Sequence, residues 1–575
     1  MMLNRNKQWK FELRWFVFVL PALAFYLVFF LLPTLSSSYY SLTDWDGVRS
    51  RFIGLDNYKE LLSDKMIQES FKNTALYTVM ITILQNVLGL GAALVLSKAF
   101  RGVTVIRMLI FMPYIFSTLL IGYVWGFILE PNIGALNHLL DAAHLGQLKL
   151  SWLSDPRTAR WMIISVTIWQ CLGYSMVIYI AGLQGVPSDL YESGSLDGAV
   201  GFRKFWYITF PLIAPAFTIN IVLCLIGNLQ LFNQIYALTG GRSRLRDGIR
   251  GHHDLSARVR KRHSVGLRLR IVRDAVRLHP FYNACDGVLF AQERGGNVMQ
   301  LTFPRIGGIV GKLALWVLSI VFVYPIALVF LSAVKSKTEL ANNPFGWPTD
   351  LTLDSFHKAF QTMHYFRSFA NTALIGGIAI AGVVLMAAMA SYAIARRNNR
   401  FYGSIYYLFL AGIIIPFQMA MIPLYKLLLS WHLINSYQGV VFVYFGMLAP
   451  FSVFLLSGFI RSVPRELDEA AYVDGSGIYM TFFRIILPLL KPAVTTITVL
   501  DLFTVWNDFL MPMLFLSNNA KMTITVQLSA FQGMYFNDWS LIFAGVCLIV
   551  LPMLAVYLFA QRFIISGITA GAIKG

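Results

Sequence analysis

Charge is scarce in this chain: Asp, Glu, Lys and Arg make up 13% of its 575 residues, against roughly 25% in ordinary globular domains. With 57% hydrophobic residues, that shortage excludes a soluble globular domain and points to a polytopic membrane protein. Cysteine is scarce too. Cys171, Cys224, Cys285 and Cys547 show no CxxC spacing, which leaves no thiolate metal centre or dithiol redox site to expect, and three of them lie in apolar stretches as small core residues. A phosphate-binding loop is missing: Gly311-Lys312 is followed by Leu313 where Ser or Thr is required, and Ile306 stands where the first glycine belongs. HExxH, GxSxG and paired metal-ligand spacings are also missing, and His252-His253 stands alone. The expectation is a chain that is not an enzyme, with no catalytic residue, no metal ligand and no cofactor of its own.

What the chain has is apolar runs. A bilayer-spanning helix needs roughly 20 mostly apolar residues. Five such runs fill the first part, at about Trp15–Pro33, Ala75–Ala99, Met108–Leu129, Trp161–Leu183 and Phe205–Leu231. Six fill the last part, at about Ile309–Val334, Phe369–Ala395, Ile405–Leu429, Gln438–Ile460, Phe482–Leu516 and Leu541–Phe563. The fold class expected is therefore all-α, with about eleven transmembrane helices in two homologous sets of five and six. Early prolines in both fifth spans predict bent or tilted helices. The formal charge of +19 suggests nucleic acid at first sight, but it sits beside apolar spans, as the positive-inside rule expects. Lys98, Arg101, Arg107, Arg203, Lys204, Arg396, Arg397, Arg400, Arg461 and Arg465 fall on one side if both parts start inside. Arg5, Lys7, Lys10 and Arg14 precede the first run without a cleavage pattern, so it reads as a first span with its N-terminus in the cytoplasm.

An internal repeat organises the whole. Residues 186–199, Val-Pro-Ser-Asp-Leu-Tyr-Glu-Ser-Gly-Ser-Leu-Asp-Gly-Ala, recur at 463–476 as Val-Pro-Arg-Glu-Leu-Asp-Glu-Ala-Ala-Tyr-Val-Asp-Gly-Ser. The register holds through Phe205 and Phe482, Ile208 and Ile485, Pro211 and Pro488, and Pro215 and Pro492, always 277 positions apart. Proline suits the first turn of a helix, and Gly198 and Gly475 suit the left-handed residue that ends one. Between them the sequence predicts a helix of about eleven residues, too short and too polar to span, lying on the cytoplasmic side between spans four and five. Leu190 and Leu467 with the small residues after them make an apolar face for a partner groove. Glu192, Asp197, Glu469 and Asp474 supply carboxylates at its rim.

The second copy, Glu469-Ala470-Ala471 through Gly475 to Pro488 and Pro492, resembles the EAA loop of binding-protein-dependent ABC importer permeases. The first copy departs from it, with Ser193-Gly194 in place of Ala-Ala. The resemblance implies the type I importer permease fold, and a coupling role for Glu192, Ser193, Gly194, Asp197, Gly198, Glu469, Ala470, Ala471, Asp474 and Gly475. It also implies two cytoplasmic ABC ATPase subunits that use the ATP, an extracytoplasmic solute-binding protein, and multi-pass residence in a bacterial inner membrane. The tail Gly567–Gly575, the stretch Trp506-Asn507-Asp508-Phe509 and Leu238-Thr239-Gly240-Gly241 resemble places in maltose-type sugar importers. Polar residues inside spans are costly and often functional. Trp169, Gln170, Tyr174, Asn228, Gln230, Asn233, Asn507 and Asp508 are accordingly candidates to line a path for sugars or related polar solutes. Interhelical hydrogen bonding is the competing role for each.

One segment breaks the pattern. Residues 242–299 carry twelve arginines, one lysine and only five carboxylates, yet topology asks for a sixth crossing there. An arginine at a helix centre costs about 2.5–3.5 kcal/mol, so this segment does not supply one. Read from the third base of His263, codons for His263–Leu269 are able to spell Phe-Gly-Trp-Ala-Ser-Ala, which resembles the start of a sixth span. The division expected is residues 1–241, a first permease half; 242–299, a basic linker or frameshifted sixth span; and 300–575, a second half. Three readings follow: an ATP-driven sugar importer working by alternating access, a non-functional frameshifted fusion, and an ion-coupled secondary transporter. The last would want acidic residues in spans, of which Asp501 and Asp508 are the main ones.

Overall fold

A helix satisfies its backbone hydrogen bonds within itself, as a bilayer demands, and long apolar helices dominate this chain. The computed structural model describes residues 2–46, 49–97, 100–239, 307–397, 399–531 and 538–573. In the N-terminal part these form α1 (Met2–Tyr26), α2 (Leu32–Tyr40), α3 (Lys65–Leu96), α4 (Val103–Ile115), α5 (Thr118–Ile128), α6 (Pro156–Gln184), α7 (Ser188–Leu196), α8 (Gly201–Leu212), α9 (Ala214–Leu229) and α10 (Phe232–Thr239). The C-terminal part holds α11 (Gly307–Ala333), α12 (Tyr365–Arg396), α13 (Arg400–Ile414), α14 (Met421–Ser430), α15 (Tyr437–Ser462), α16 (Glu466–Val473), α17 (Ile478–Leu489), α18 (Lys491–Asn507), α19 (Leu510–Phe515) and α20 (Trp539–Ile573). Among the described residues an isolated antiparallel bridge joins Thr43 to Phe52. The expected sixth crossing and the basic segment, with His252, His253 and Cys285, lie outside the described residues.

Among the described residues, seven helices are long and apolar enough to cross a membrane, or ten if each of three bent pairs is one span. The chain is a multi-pass membrane protein. The fifth spans are bent as expected, by 71° between α8 and α9 and by 74° between α17 and α18. The third spans differ from the expectation of continuous helices. α4 and α5 meet at 98°, because Phe116 is extended and Ser117 accepts a hydrogen bond from the Leu119 N–H, starting a new helix. In the C-terminal part the run at 405–429 is split into α13 and α14, with Ile415 and Pro416 both extended. Proline lacks the N–H needed to carry the helix through.

Three widened helical turns, Leu27–Leu31, Phe205–Thr209 and Phe482–Ile486, each close on an i→i+5 bond and end two residues before a proline. Pro33, Pro211 and Pro488 follow them in turn. The extra residue relieves the clash between a proline ring and the carbonyl one turn back.

The two parts interlock through their first spans. Trp15, Phe18, Tyr26 and Phe30 of α1 and its continuation belong to a core cluster whose residues beyond 30 all come from 375–516. Glycines let them in: a Cβ on Gly446 would lie 2.8 Å from the Phe25 carbonyl oxygen, and one on Gly412 would lie 2.8 Å from the Tyr26 ring. Small residues that permit close backbone approach are the usual means of helix packing in lipid. The Tyr26 hydroxyl completes the join by donating to the Leu408 carbonyl at 2.9 Å. In return α11 packs on α4 as well as on α20, with Trp316 seated against the Gly102 turn that follows α3.

Candidate functional site

The repeated polar segments fold as two equivalent short helices, α7 and α16. Each ends in the same device. Gly198 and Gly475 adopt φ of +77° and +79°, a conformation that costs an L-residue roughly 1–2 kcal/mol. Around each, two backbone bonds close the helix: Gly198 N–H to Ser195 at 3.2 Å and Ala199 N–H to Gly194 at 2.8 Å, then Gly475 N–H to Tyr472 at 3.0 Å and Ser476 N–H to Ala471 at 2.9 Å. This is the double bond pattern of a glycine-terminated helix. Nothing lies within 4 Å of where a Cβ would stand on either glycine, so conformation and not space demands them.

The outward faces carry the expected residues. Glu192, Ser193, Asp197 and Gly198 are exposed on α7 and its cap, as are Glu469, Ala470, Asp474 and Gly475 on α16 and its cap. Glu192, Asp197, Glu469 and Asp474 form no ion pair among the described residues. Leu190 and Leu467 are only partly uncovered, at 43% and 38%, while Leu196 and Val473 stand out at 90% and 84%. All four are exposed, and the most exposed apolar residues lie six positions, nearly two turns, after Leu190 and Leu467. Ala471 is buried, and at its counterpart Gly194 the Ile208 side chain fills the place of a methyl group: a Cβ there would come within 2.1 Å of Ile208 Cδ1 and would have to push it aside. The Ser-Gly departure in the first copy thus makes packing closer.

The inner faces differ, and sequence reasoning passed over them. Tyr191 of α7 is buried, with the Lys204 ammonium 5.0 Å from its ring centre and donating to Ser195 Oγ at 3.0 Å. Burial pushes the Tyr191 phenol above its ordinary pKa. The matching residue of α16 is Asp468. Its two oxygens meet the Tyr392 hydroxyl at 2.5 Å and Arg396 Nη2 at 2.8 Å, both from the end of α12. The mismatch of Tyr191 with Asp468, one of eight differences between 186–199 and 463–476, was the available signal.

The candidate path residues do not gather at one lining. Gln170 and Asn507 converge on the break between α4 and α5: Gln170 Nε2 donates to the Phe116 carbonyl at 3.1 Å and Asn507 Nδ2 to the Ile115 carbonyl at 2.7 Å. Ser117 Oγ returns a bond to the Asn507 carbonyl at 2.9 Å. Close by, Tyr174 stacks on Tyr114 with centroids 4.7 Å apart. Trp169 instead faces Trp125 and Phe322 and donates to the Phe322 carbonyl at 2.9 Å. Asn228 donates to Thr82 Oγ1 at 3.0 Å in a separate buried group, near Asn86, which accepts from both Tyr179 and Asn220. Asp508 accepts from Tyr444 at 2.8 Å and caps α19 through Leu510 N–H at 3.0 Å. Gln230 ends α9 half-buried. The side chain of Asn233 lies outside the described residues. Beside Asn507 a cavity of about 10 Å³, lined by Ile115, Phe116, Leu120, Ile549, Val550, Met553 and Leu554, has room for about one water molecule.

The chain belongs to the family of binding-protein-dependent transport system inner membrane components, whose pattern it matches twice, over residues 85–251 and 379–568. It is 34% identical over 258 residues to the probable starch degradation products transport system permease protein AmyC of Thermoanaerobacterium thermosulfurigenes, covering 45% of this chain and 94% of that one. It is 32% identical to the melibiose/raffinose/stachyose import permease protein MelC of Bacillus subtilis, covering 44% and 91%, and 31% identical to the arabinooligosaccharides transport system permease protein AraQ of Halalkalibacterium halodurans, covering 45% and 96%. Each relative is thus matched almost end to end by less than half of this chain. A solved bacterial ABC transporter involved in import of the acidic polysaccharide alginate aligns at 20% identity with a TM-score of 0.41, covering 45% of this chain and 98% of that one.

Proposed function

We propose that this chain is the membrane-spanning part of an ABC importer for sugars or related polar solutes, two permease subunits in one polypeptide, resident in a bacterial inner membrane. The observation that carries this reading is the pair of equivalent helices α7 and α16, each ending in a left-handed glycine and each presenting carboxylates and an apolar rim outward. In this reading Glu192, Ser193, Gly194, Asp197 and Gly198 dock one ATPase subunit, and Glu469, Ala470, Ala471, Asp474 and Gly475 dock the other. ATP is hydrolysed by those partners, and an external binding protein delivers the solute. Relatives named for starch products, raffinose-type sugars and arabino-oligosaccharides support the sugar class. Solute then passes by alternating access through the breaks in the third and fifth spans, where Gln170 and Asn507 bond to the unwound backbone of residues 115–116 and Asp508 is itself extended.

The test is uptake of labelled maltotriose, raffinose and an arabino-oligosaccharide by cells carrying the chain, its ATPase and its binding protein. Glu469→Lys and Gly475→Pro are each expected to abolish uptake with the protein still in the membrane. Undiminished uptake in both sinks the docking reading. Uptake that collapses with the ion gradient at constant ATP assigns the chain to ion-coupled transport. For residues 242–299 we propose a shifted reading frame, which predicts about 20 apolar residues in a neighbouring frame between codons 230 and 310. If only the present frame is open, the segment is a true basic linker.

A further inference from the structure

We propose that Asp468 is a positioning residue that couples α16 to the membrane, latching this helix to α12 through Tyr392 and Arg396. The inference rests on the reading of α16 as an ATPase-docking helix. Asp468 faces away from the exposed rim: its side chain is 21% exposed and that of Arg396 is 6% exposed, whereas Tyr472 and Val473 are 79% and 84% exposed. Each carboxylate oxygen has its own partner on α12, Oδ1 taking the Tyr392 hydroxyl and Oδ2 facing Arg396 Nη2. The same guanidinium donates from Nη1 to the carbonyls of Val463 at 3.0 Å and Ile460 at 3.4 Å, where α15 ends. One arginine therefore ties α12, α15 and α16 together. A push on α16 reaches α12 through an ion pair in a poorly solvated place, where charge interactions are strong.

What α12 does with that push is visible at its other end. It runs 32 residues, about 48 Å of helix. At the far end Asn371 Nδ2 donates to the carbonyls of Ala520 and Met522, both at 3.0 Å, and Thr372 Oγ1 accepts from Ile524 N–H at 3.0 Å. That same segment is bonded to the break after α18, because Thr525 Oγ1 donates to the Asp508 carbonyl at 2.7 Å. The latch, α12 and residues 520–525 form one bonded chain from the docking helix to the broken fifth span. In the N-terminal half, Tyr191 stands at the Asp468 position and α3 ends in Leu96, so among the described residues the carboxylate latch belongs to the C-terminal half.

The experiment uses the full chain with its ATPase and binding protein in proteoliposomes, and reads labelled maltotriose, raffinose or arabino-oligosaccharide moved per ATP hydrolysed. Asp468→Asn and Arg396→Gln are each expected to lower that ratio about tenfold with the ATPase still bound, and Tyr392→Phe about threefold. The exchange of charges, Asp468→Arg with Arg396→Asp, is expected to restore most of the ratio. A purely structural pair would lower hydrolysis and transport together and leave the ratio unchanged, which overturns the latch. Should the charge variants fail to fold, Tyr392→Phe decides alone, and a wild-type ratio overturns the proposal. If the intact complex hydrolyses ATP but moves none of the three sugars, the sugar reading fails. The latch is then judged by a double-mutant cycle of Tyr392→Phe with Asp468→Asn on the hydrolysis rate, where additivity overturns it. A wild-type chain that binds no ATPase takes the docking reading and the latch down together.

Discussion

The two repeat helices α7 and α16 look alike from outside and are held differently from within. α7 rests on an aromatic ring under an ammonium group, with a glycine closed over by Ile208. α16 rests on a carboxylate between a tyrosine and an arginine. Contact by shape tolerates a small shift at modest cost, whereas an ion pair in a poorly solvated place holds its geometry until a partner is removed. The lesson is that an internal repeat preserves its exposed face and its cap while leaving the inner attachment free to diverge.

That contrast can be sharpened by substitution, read as melting of the detergent-solubilised chain. Arg396→Gln should do the most damage, about 3 kcal/mol, because it leaves the Asp468 carboxylate half-buried without its counter-charge. Gly194→Val follows at about 2 kcal/mol, since its side chain must displace Ile208, and adding Ile208→Ala should return much of the loss. If Gly194→Val melts like the wild type, the close packing assigned to α7 is wrong. Gly198→Ala and Gly475→Ala should cost about 1 kcal/mol each and equally, as both face open space. Unequal losses would show that the two caps are not equivalent. Lys204→Met should cost least, about 0.5–1 kcal/mol, because losing the cation over the ring and its bond to Ser195 is largely offset by no longer burying an ammonium group. A loss as large as that of Arg396→Gln would erase the distinction between the halves.

Much of the fold was legible because it rests on local rules. The caps of α7 and α16 depend on a proline, a glycine and bonds spanning at most five residues, so reading 186–199 against 463–476 was enough. The bends of the fifth spans followed from Pro211, Pro215, Pro488 and Pro492 for the same reason. The break between α4 and α5 was not legible. Pro113 precedes it by three residues, but the freed carbonyls of Ile115 and Phe116 are answered by Asn507 and Gln170, from α18 and α6. A run of apolar residues does not reveal partners that distant. The same is true of the path candidates, which were chosen by polarity alone and which the fold divides among separate groups.

By itself the sequence determined that this is a helical membrane protein, that it contains a repeat, and that each copy of the repeat ends in a left-handed glycine. Hydropathy and the steric limits of single residues act over a few positions and need no fold to operate. Only the tertiary structure decided that α1 packs among residues 375–516, that Ile208 fills the place of a side chain at Gly194, and that Asp468 answers to Tyr392 and Arg396. Those outcomes depend on which surfaces meet, and residues far apart in the chain have no say in one another until the helices are packed.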